Sequence, residues 1–322
     1  MTSKERYARL TSSIQVPVFL QPLWLDIVCE HWDVVLYEEA GKILGGMPYA
    51  YRMEKGNMHI VQPPLTQFVG PILNFSYDKK EKQYGKENQV LTALLEQLPA
   101  FRQFNQNWYH GVDNWLPFFW NGFQQSCRYT YVIDGSAAEK DVWDSLKNTI
   151  RNDIRAADQA TYIEESTDSL SLYKLVEQNF EYKQQAVPYT YEMYKKMAET
   201  LLAAGWCKIY LVRSQEDKQL VAGGLFIMDE KTTYYLIGAI NRSFKIRGAL
   251  EKMLWHVIKD TLAAKRDFDF EGSMLKNVEP LFRSFGGERK MYFSISKSYR
   301  TKKDLLMEIM RNGKKIFMGN SQ

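Results

Sequence analysis

The feature that most constrains the fold is an ordered set of signals that occurs twice along the 322 residues. Each copy opens with two apolar strand-like segments, and the second of these carries a glycine pair, Gly45–Gly46 or Gly223–Gly224. Each copy closes with a proline–aromatic segment, at 117–123 or 280–286, that leads into another strand-like segment. Two copies of one α+β unit leave a cleft between them, and such clefts are common ligand sites.

Length and composition agree with two cores in one chain. Hydrophobic residues make up 45% of the sequence, and the 42 basic residues exceed the 38 acidic residues by only four. The small positive charge gives only weak attraction to anionic partners. No apolar run approaches the roughly 20 residues that span a bilayer, so we expect no membrane insertion. The three cysteines lack a C-x-x-C pattern, which favours reduced thiols in a cytoplasmic protein.

Hydrophobic periodicity predicts the order of helices and strands. Helices are expected over 22–32, 87–98, 138–158, 168–183, 189–204, 247–265, 278–285 and 301–312. Strands are expected in the two opening hairpins and over 101–108, 207–213, 219–229, 232–240, 267–271 and 290–297. The prolines of segment 62–71 predict a stiff irregular loop. We expect an N-terminal domain over 1–130, a C-terminal domain over 131–300, and a helix and tail over 301–322.

This order of elements resembles the acyltransferase fold of the GNAT superfamily, and especially its FemAB-type branch with the predicted acetyltransferase relatives. The resemblance is carried by Pro63–Pro71, Trp115–Phe123, Arg151–Ala157, Phe268–Ser273 and Phe282–Gly287. It implies an α+β fold of two tandem GNAT-like units with mixed sheets flanked by helices. Such proteins transfer an acyl or aminoacyl group from acetyl-CoA or aminoacyl-tRNA to an amine.

A candidate cofactor site lies where the predicted helix over 247–265 begins. Lys245 and Arg247 precede Gly248 and Ala249 there, although the helix dipole disfavours cations at this end. An anion between them would explain the arrangement, because the free N–H groups of a helix start bind phosphates. The resemblance implies the pyrophosphate of acetyl-CoA or another acyl-CoA, although Leu250 stands where the family signature has a small residue. A solvated basic turn is the alternative.

Two residues are candidates for the chemistry. By the resemblance, Arg283 occupies a position at which FemAB-type proteins usually carry a charge-stabilising lysine; an arginine suits electrostatic stabilisation rather than proton transfer. Strand alternation places Asp269 and Glu271 on one face, and Glu271 is the candidate proton acceptor. The alternatives are an exposed arginine on a short helix, and carboxylates that simply pair with nearby lysine and arginine residues.

An acceptor pocket is predicted where polar and aromatic residues of the first copy interleave. Its candidate residues are Pro64, Thr66, His110, Trp115 and Asn121. Aromatic clusters are more often core, and that alternative stays open. The four histidines show no metal-ligand spacing, so no metal is expected.

Three classes of function remain. The leading hypothesis is an N-acyltransferase that uses acyl-CoA, most simply acetyl-CoA, and a small-molecule or peptide-like amine acceptor. The second is a FemAB-type aminoacyl-tRNA-dependent transferase that acts on a cell-wall precursor, with tRNA as its partner. The third is a catalytically inactive GNAT-fold binding protein.

Overall fold

The computed structural model describes residues 1–244, 246–272 and 274–299. The first half contains α1 (Ser3–Ser13), a 3₁₀ turn (Val18–Leu20), α2 (Pro22–Val28), β1 (Trp32–Glu39), β2 (Lys42–Glu54), β3 (Asn57–Val61), β4 (Ile72–Leu73), α3 (Lys80–Glu96), β5 (Gln103–Asn107), α4 (Leu116–Trp120) and β6 (Gln124–Ile133). The second half contains α5 (Glu139–Ser145), α6 (Asn148–Ala160), β7 (Thr161–Ser166), α7 (Ser169–Tyr182), α8 (Tyr191–Ala203), β8 (Cys207–Ser214), β9 (Leu220–Met228), β10 (Thr232–Ile240), α9 (Ala249–Ala263), β11 (Asp267–Asp269), α10 (Glu279–Arg283) and β12 (Glu288–Ser298).

The two copies have the same order of elements and the same strand pairings. Apart from the two-residue β4, which has no counterpart in the second copy, the first runs β1-β2-β3-α3-β5-α4-β6, and the second runs β8-β9-β10-α9-β11-α10-β12. In each copy the first three strands are antiparallel neighbours, and the strand after the long helix joins in parallel. The duplication predicted from the sequence is confirmed.

The paired glycines allow a helix to pack closely on the return strand in each copy. A Cβ atom at Gly45 would lie 2.4 Å from Val90 of α3, and one at Gly224 would lie 2.6 Å from Met253 of α9. Because real Cβ contacts are essentially never that short, a larger residue at either position would force Val90 or Met253 to shift. In each copy, one glycine of the pair therefore leaves room for a side chain of the helix that packs on the return strand.

The last strands of the two copies are exchanged. Within the described residues all strands form one 12-stranded sheet, with the path β1-β2-β3-β5-β12-β6-β11-β10-β9-β8-β7, and β4 pairs with β2. Thus β12 of the second copy pairs with β5 of the first, and β6 of the first pairs with β11 of the second. The two exchanged strands pair antiparallel along nine residue pairs between them. The expected division at residue 130 falls inside β6, and the domain division stays a prediction.

Side chains alternate between two faces of this sheet. The front face, on which Tyr234 lies, packs against α1, α2, α7 and α8 in a core that includes strands of both copies. The rear face packs against α5, α6, α9 and α10 in the second copy and against α3 and α4 in the first. The front core therefore joins the two copies, whereas each rear core belongs largely to one.

Several local features differ from the sequence predictions. The helix expected over 138–158 is interrupted at Leu146 and Lys147, both of which have extended backbones, and the Lys147 N–H donates to the Ser284 carbonyl. Helix α1 and strand β7 were not predicted. Strand β11 ends at Asp269, two residues earlier than expected. The helix expected over 301–312 lies outside the described residues.

The exchange predicts that the halves fold only together. Separate fragments 1–134 and 135–322 should each lack cooperative unfolding, because both neighbours of β6 and both neighbours of β12 lie on the other fragment. Mixed, they should recover a single urea transition by circular dichroism. Cooperative unfolding of either fragment alone would contradict the dependence on exchanged strands.

Candidate functional site

A buried carboxylate pair lies at the end of β11. The strand stops because Glu271 and Gly272 both adopt left-handed backbones, with φ of 59° and 65°. The turn carries the chain across β6 so closely that a Cβ atom at Gly272 would lie 2.2 Å from the Tyr129 carbonyl oxygen. Only glycine fits at that position. A non-glycine residue in this conformation is strained, and such strain is often found at functional sites.

Asp269 is the more enclosed member of the pair, with 1% of its surface exposed. Its Oδ1 accepts from the Thr130 hydroxyl, from the Glu271 N–H at 2.7 Å and from Gln67 Nε2 at 3.4 Å. These donors favour the charged form, but burial disfavours it more strongly. The net result is that the pKa of Asp269 rises to about 6.

Glu271 lies beside Asp269 and has a shielded oxygen. Within the described part of the chain, its Oε1 is closed off from solvent and has no hydrogen-bond partner. Burial, and then the charge of Asp269, raises the pKa of Glu271 well above its usual value. The pair therefore favours a single negative charge near neutral pH, and Asp269 with its three donors is the member that carries it.

The loop over Pro63–Pro71 brings the first copy to this pair. Besides the contact of Gln67 with Asp269, the Asn107 side chain donates to the Gln67 carbonyl at 3.2 Å, and Val69 donates to the Asn107 carbonyl at 2.7 Å. Gln67 is 6% exposed, and its Oε1 has no partner among the described residues. Two shielded acceptor oxygens, one from each copy, therefore contribute to one site.

The exchanged strands form the floor beside the pair. Ladder register places Arg128 opposite Tyr292 and Thr130 opposite Lys290, all on the front face with Asp269. Arg128 Nε donates to the Tyr292 hydroxyl at 3.4 Å. Burial raises the pKa of Tyr292, so its hydroxyl stays protonated at neutral pH.

Only the second copy has carboxylates at these positions. In the parallel ladders Phe104 pairs with Ile60, and Phe268 pairs with Thr233, and both phenylalanines are fully buried on the rear face. Counting onward from these equivalent residues, the first copy has Asn105 and Asn107 in place of Asp269 and Glu271. The duplicated frame therefore carries one acidic site.

Of the predicted pocket residues, three belong to the region of the Pro63–Pro71 loop. Pro64 is exposed, and the Thr66 hydroxyl accepts from Trp24 Nε1 at 2.9 Å while it donates to the Pro64 carbonyl at 2.9 Å. Thr66 thus holds the loop shape. The His110 ring lies 4.2 Å from that of Tyr109, and burial followed by Lys290 lowers the pKa of His110.

The other two predicted pocket residues lie elsewhere. Trp115 packs beside Phe119 next to the first rear core. The Asn121 carbonyl accepts from Lys297 at 2.5 Å beside a cavity of about 440 Å³. Thr130 lies six residue steps along β6 from Gln124, which opens that strand, a distance of roughly 20 Å at about 3.3 Å per residue. Asn121 therefore does not meet the carboxylate pair here.

Arg283 lies on the other side of the sheet. Its side chain is 63% exposed and pairs with Glu279 at 2.9 Å, and Glu279 also accepts from the Tyr131 hydroxyl at 2.6 Å. Tyr131 points to the rear face, whereas its neighbour Thr130 points to the front. The structure does not bring Arg283 and Glu271 together, and a catalytic role for Arg283 stays a prediction.

The predicted cofactor residues surround the start of α9. Gly248 is the residue before the helix and has a left-handed backbone with φ of 82°, and Ala249 is buried. Arg247 pairs with Asp153 of α6, and a Cβ atom at Gly248 would lie 2.0 Å from the Asp153 carbonyl oxygen. Asp153 thus already supplies a carboxylate to this turn. Lys245 lies outside the described residues.

The strand that leads to this turn separates from its neighbour. Strand β10 pairs with β11 only over Thr232–Tyr234, and its ladder with β9 is irregular between Tyr235 and Ile237. Bulges of this kind redirect side chains next to active sites. A cavity of about 240 Å³ lies where β10 ends, bordered by Asn179, Asn241 and Arg242.

Sequence reasoning did not select Gln67, Arg128, Thr130 or Tyr292. Asp269 was recognised only as sharing a face with Glu271. The signal for Gln67 was its place in the proline-rich loop. The residues of β6 and β12 had no local sequence signal for a site, because they approach the Asp269–Glu271 pair only through the exchange of these strands between the copies.

Two kinds of feature are absent from the described residues. No helix there is both long and apolar enough for a membrane crossing. No group of three or more histidine, cysteine or acidic side chains is arranged to hold a metal ion in the same residues.

Known proteins match this chain in part of its sequence and across its fold. Residues 144–274 match the family described as "Acetyltransferase (GNAT) domain". The structure is similar to FemX, with a TM-score of 0.68 at 11% identity over 96% of this chain and 98% of that one. It is similar to the C-terminal domain of a putative lysylphosphatidylglycerol synthetase from Agrobacterium fabrum, with a TM-score of 0.55 at 12% identity over 96% of both chains.

A third similar structure is a tandem GNAT protein from the clavulanic acid biosynthesis pathway. Its TM-score is 0.50 at 6% identity, over 93% of this chain and 94% of that one. The sequence matches no curated protein. These likenesses confirm the fold of two tandem GNAT-like units that the sequence predicted.

The raised pKa of Asp269 predicts a pH-dependent effect of Asp269→Asn on stability. In the native state the carboxyl loses its proton near pH 6, compared with about 3.8 when unfolded, so wild-type stability falls as pH rises through this window. The amide keeps the accepting Oδ1 and removes the buried charge. We expect the variant to gain about 2–3 kcal/mol at pH 8 and nothing at pH 4.

Urea unfolding at pH 4, 6 and 8 measures this difference. Asp134→Asn is the control, because Asp134 is exposed and its pKa is lowered by hydrogen bonds from Ser136. That variant should lose stability above pH 4 rather than gain it. An Asp269→Asn variant that is equally destabilised at all three pH values would show that Asp269 carries no penalty of burial.

Proposed function

We propose that this chain, which matches a GNAT domain family over residues 144–274 and has the fold of two tandem GNAT-like units, is a GNAT-type transferase that moves an acyl group to an amine at the Asp269–Glu271 pair. The observation that carries the proposal is the shielded, unpartnered Oε1 of Glu271 next to a second buried carboxylate. A site with two acids, two free acceptor oxygens and a raised pKa suits the binding and deprotonation of an ammonium group.

The chemistry follows from the charge of the pair. An ammonium group that docks on Glu271 Oε1 and Gln67 Oε1 provides the donors that these oxygens lack. Its positive charge lowers the pKa of Glu271, which releases its proton to solvent as the ligand enters and then, as the carboxylate, takes a proton from the ammonium. The neutral amine attacks the acyl carbonyl carbon, a C–N bond forms, and the bond from that carbon to the leaving group breaks. The amine's second proton leaves with the departing thiolate or alkoxide.

Acyl-CoA, most simply acetyl-CoA, is the donor that we favour. The divergence of β10 from β11 opens space between two neighbouring strands, and the start of α9 offers backbone N–H groups for a phosphate. Arg247 is 67% exposed and is the cation available there among the described residues. Pyrophosphate binding would exchange the Asp153 carboxylate for a phosphate as the partner of Arg247.

An aminoacyl-tRNA donor is the second candidate, and one observation favours it. Asp153 already pairs with Arg247 at the start of α9, and Glu251 in the first helical turn has a raised pKa because of burial and then Asp153. Two acidic groups near this turn oppose a bound pyrophosphate. Proteins of similar fold include FemX and a putative lysylphosphatidylglycerol synthetase.

The proposed acceptor is a small-molecule or peptide-like amine. The site accepts such a group because the loop from the first copy and β11 from the second enclose it together. A cytoplasmic location is proposed because Cys29, Cys127 and Cys207 are all free thiols.

Glu271→Gln should lower kcat for acyl transfer by about 100-fold, since general-base contributions are typically of this size. The amide cannot accept the proton, so the rise of rate with pH that reflects Glu271 should also disappear. Steady-state rates from pH 5.5 to 9 measure both effects. Glu30→Gln is the control, because Glu30 is exposed and far from Glu271 in the sequence. An unchanged pH–rate profile for Glu271→Gln would exclude it as the base.

The donor can be identified by binding. Isothermal titration with acetyl-CoA should give a complex in which Arg247→Ala weakens binding roughly 10-fold or more, by loss of a charge-assisted hydrogen bond. Arg52→Ala, at an exposed arginine of β2 paired with Glu54, should bind as the parent does. Absence of acetyl-CoA binding together with binding of aminoacyl-tRNA would select the second candidate. Binding of neither would leave a binding protein without transferase activity.

A further inference from the structure

Arg128 is a cation without an anionic partner beside the carboxylate pair. It is half-buried on the front face of β6, and among the described residues no carboxylate oxygen lies within 4 Å of it. Its Nε donates a hydrogen bond to the Tyr292 hydroxyl at 3.4 Å. A guanidinium group has five N–H donors, so four remain for a ligand. Other front-face cations differ, since Lys290 pairs with Glu288 at 2.5 Å.

Tyr292 adds a second donor at the same place. The residue is 5% exposed, and its hydroxyl accepts from Arg128 while its own proton has no acceptor among the described residues. Arg128, Asp269 and Glu271 all act electrostatically on Tyr292, so the cation and both acids are near its hydroxyl. A buried hydroxyl with an unused proton is a position for an anionic oxygen.

Arg128 lies close to the carboxylate pair along β6. Thr130 contacts Asp269, and Arg128 lies two residues along the same strand on the same face, which is roughly 7 Å. A ligand that spans from Glu271 to Arg128 therefore carries a positive and a negative group separated by a few bonds. An α-amino acid, or the terminal residue of a peptide with a nearby carboxylate, has this pattern.

We propose that Arg128 and Tyr292 bind the carboxylate of the acceptor, so that the acceptor is an amino acid or amino-acid-like zwitterion rather than a simple amine. The inference rests on the proposed function for the role of the carboxylate pair. Arg128 forms paired N–H···O bonds to the carboxylate, and the Tyr292 hydroxyl donates a third. The ammonium group lies toward Glu271 and Gln67, and the bound carboxylate fixes its orientation.

The test compares matched probes that differ by one carboxylate. Lysine and 1,5-diaminopentane form one pair, alanine and ethylamine form a second, and glycine and methylamine form a third. Binding to the full chain is measured by isothermal titration without an acyl donor, so the result does not depend on turnover. At least one amino acid should bind roughly 10- to 100-fold more tightly than its decarboxylated partner.

Arg128→Gln should reduce that affinity ratio to near one, because it weakens binding of the amino acid and leaves binding of the amine unchanged. Arg289→Gln is the matched control, because Arg289 lies on the opposite face of β12 over the Tyr129 ring and should keep the ratio. Equal binding of amine and amino acid, a ratio unchanged in Arg128→Gln, or no binding of any amino acid at 10 mM would each overturn the proposal. Zwitterion binding without acyl transfer would instead refute the proposed function alone.

Discussion

The antiparallel pairing of β6 with β12 is the interaction on which the rest of the structure depends. These strands are the last of their copies, and each also pairs with a strand of the other copy. The exchange converts two sheets into one and brings β11 of the second copy next to β6 of the first. Thr130 can therefore donate to Asp269, and Arg128 can lie on the same face as Glu271. Without the exchange, these groups would not share a site.

Several distant segments of the fold are needed to stabilise the buried carboxylate pair. Burial of a charge is costly unless hydrogen bonds compensate it. Asp269 receives three donors from three different segments, namely β6, the turn after β11 and the loop of the first copy. Glu271 receives none among the described residues at its shielded oxygen. The donors to Asp269 offset part of the cost of burying the two carboxylates. The shielded oxygen of Glu271 remains available to a ligand that supplies the missing donors.

The repeats, the order of elements and the fold class could be predicted from the sequence because local patterns encode them. The Gly45–Gly46 and Gly223–Gly224 pairs marked the return strands, and the structure shows the helices that require them. The strand over 232–240 was predicted to the residue. Glu271 could be selected as a candidate because alternation and a following glycine are both local signals.

The rest of the site depends on pairings between residues far apart in the chain. Gln67 and Asp269 are 202 residues apart, and no periodicity links them. Arg128 and Tyr292 become neighbours only through the exchanged ladder. In the same way, alignment of the two proline–aromatic segments could not show that Arg283 lies on the face opposite Glu271. Long-range register is a property of the assembled sheet, and local preferences do not contain it.

The exchange also has a consequence during synthesis on the ribosome. Asn107 of β5 pairs with Ser294 of β12, which is synthesised 294 − 107 = 187 residues later. Until then, this edge of β5 has no partner strand. At about 5–20 residues per second, that edge stays open for roughly 10–40 s. Unpaired strand edges invite association with other chains. The nascent first half therefore needs protection over this interval, either from a chaperone or from the polar residues Gln103, Asn105 and Asn107 that occupy the waiting strand.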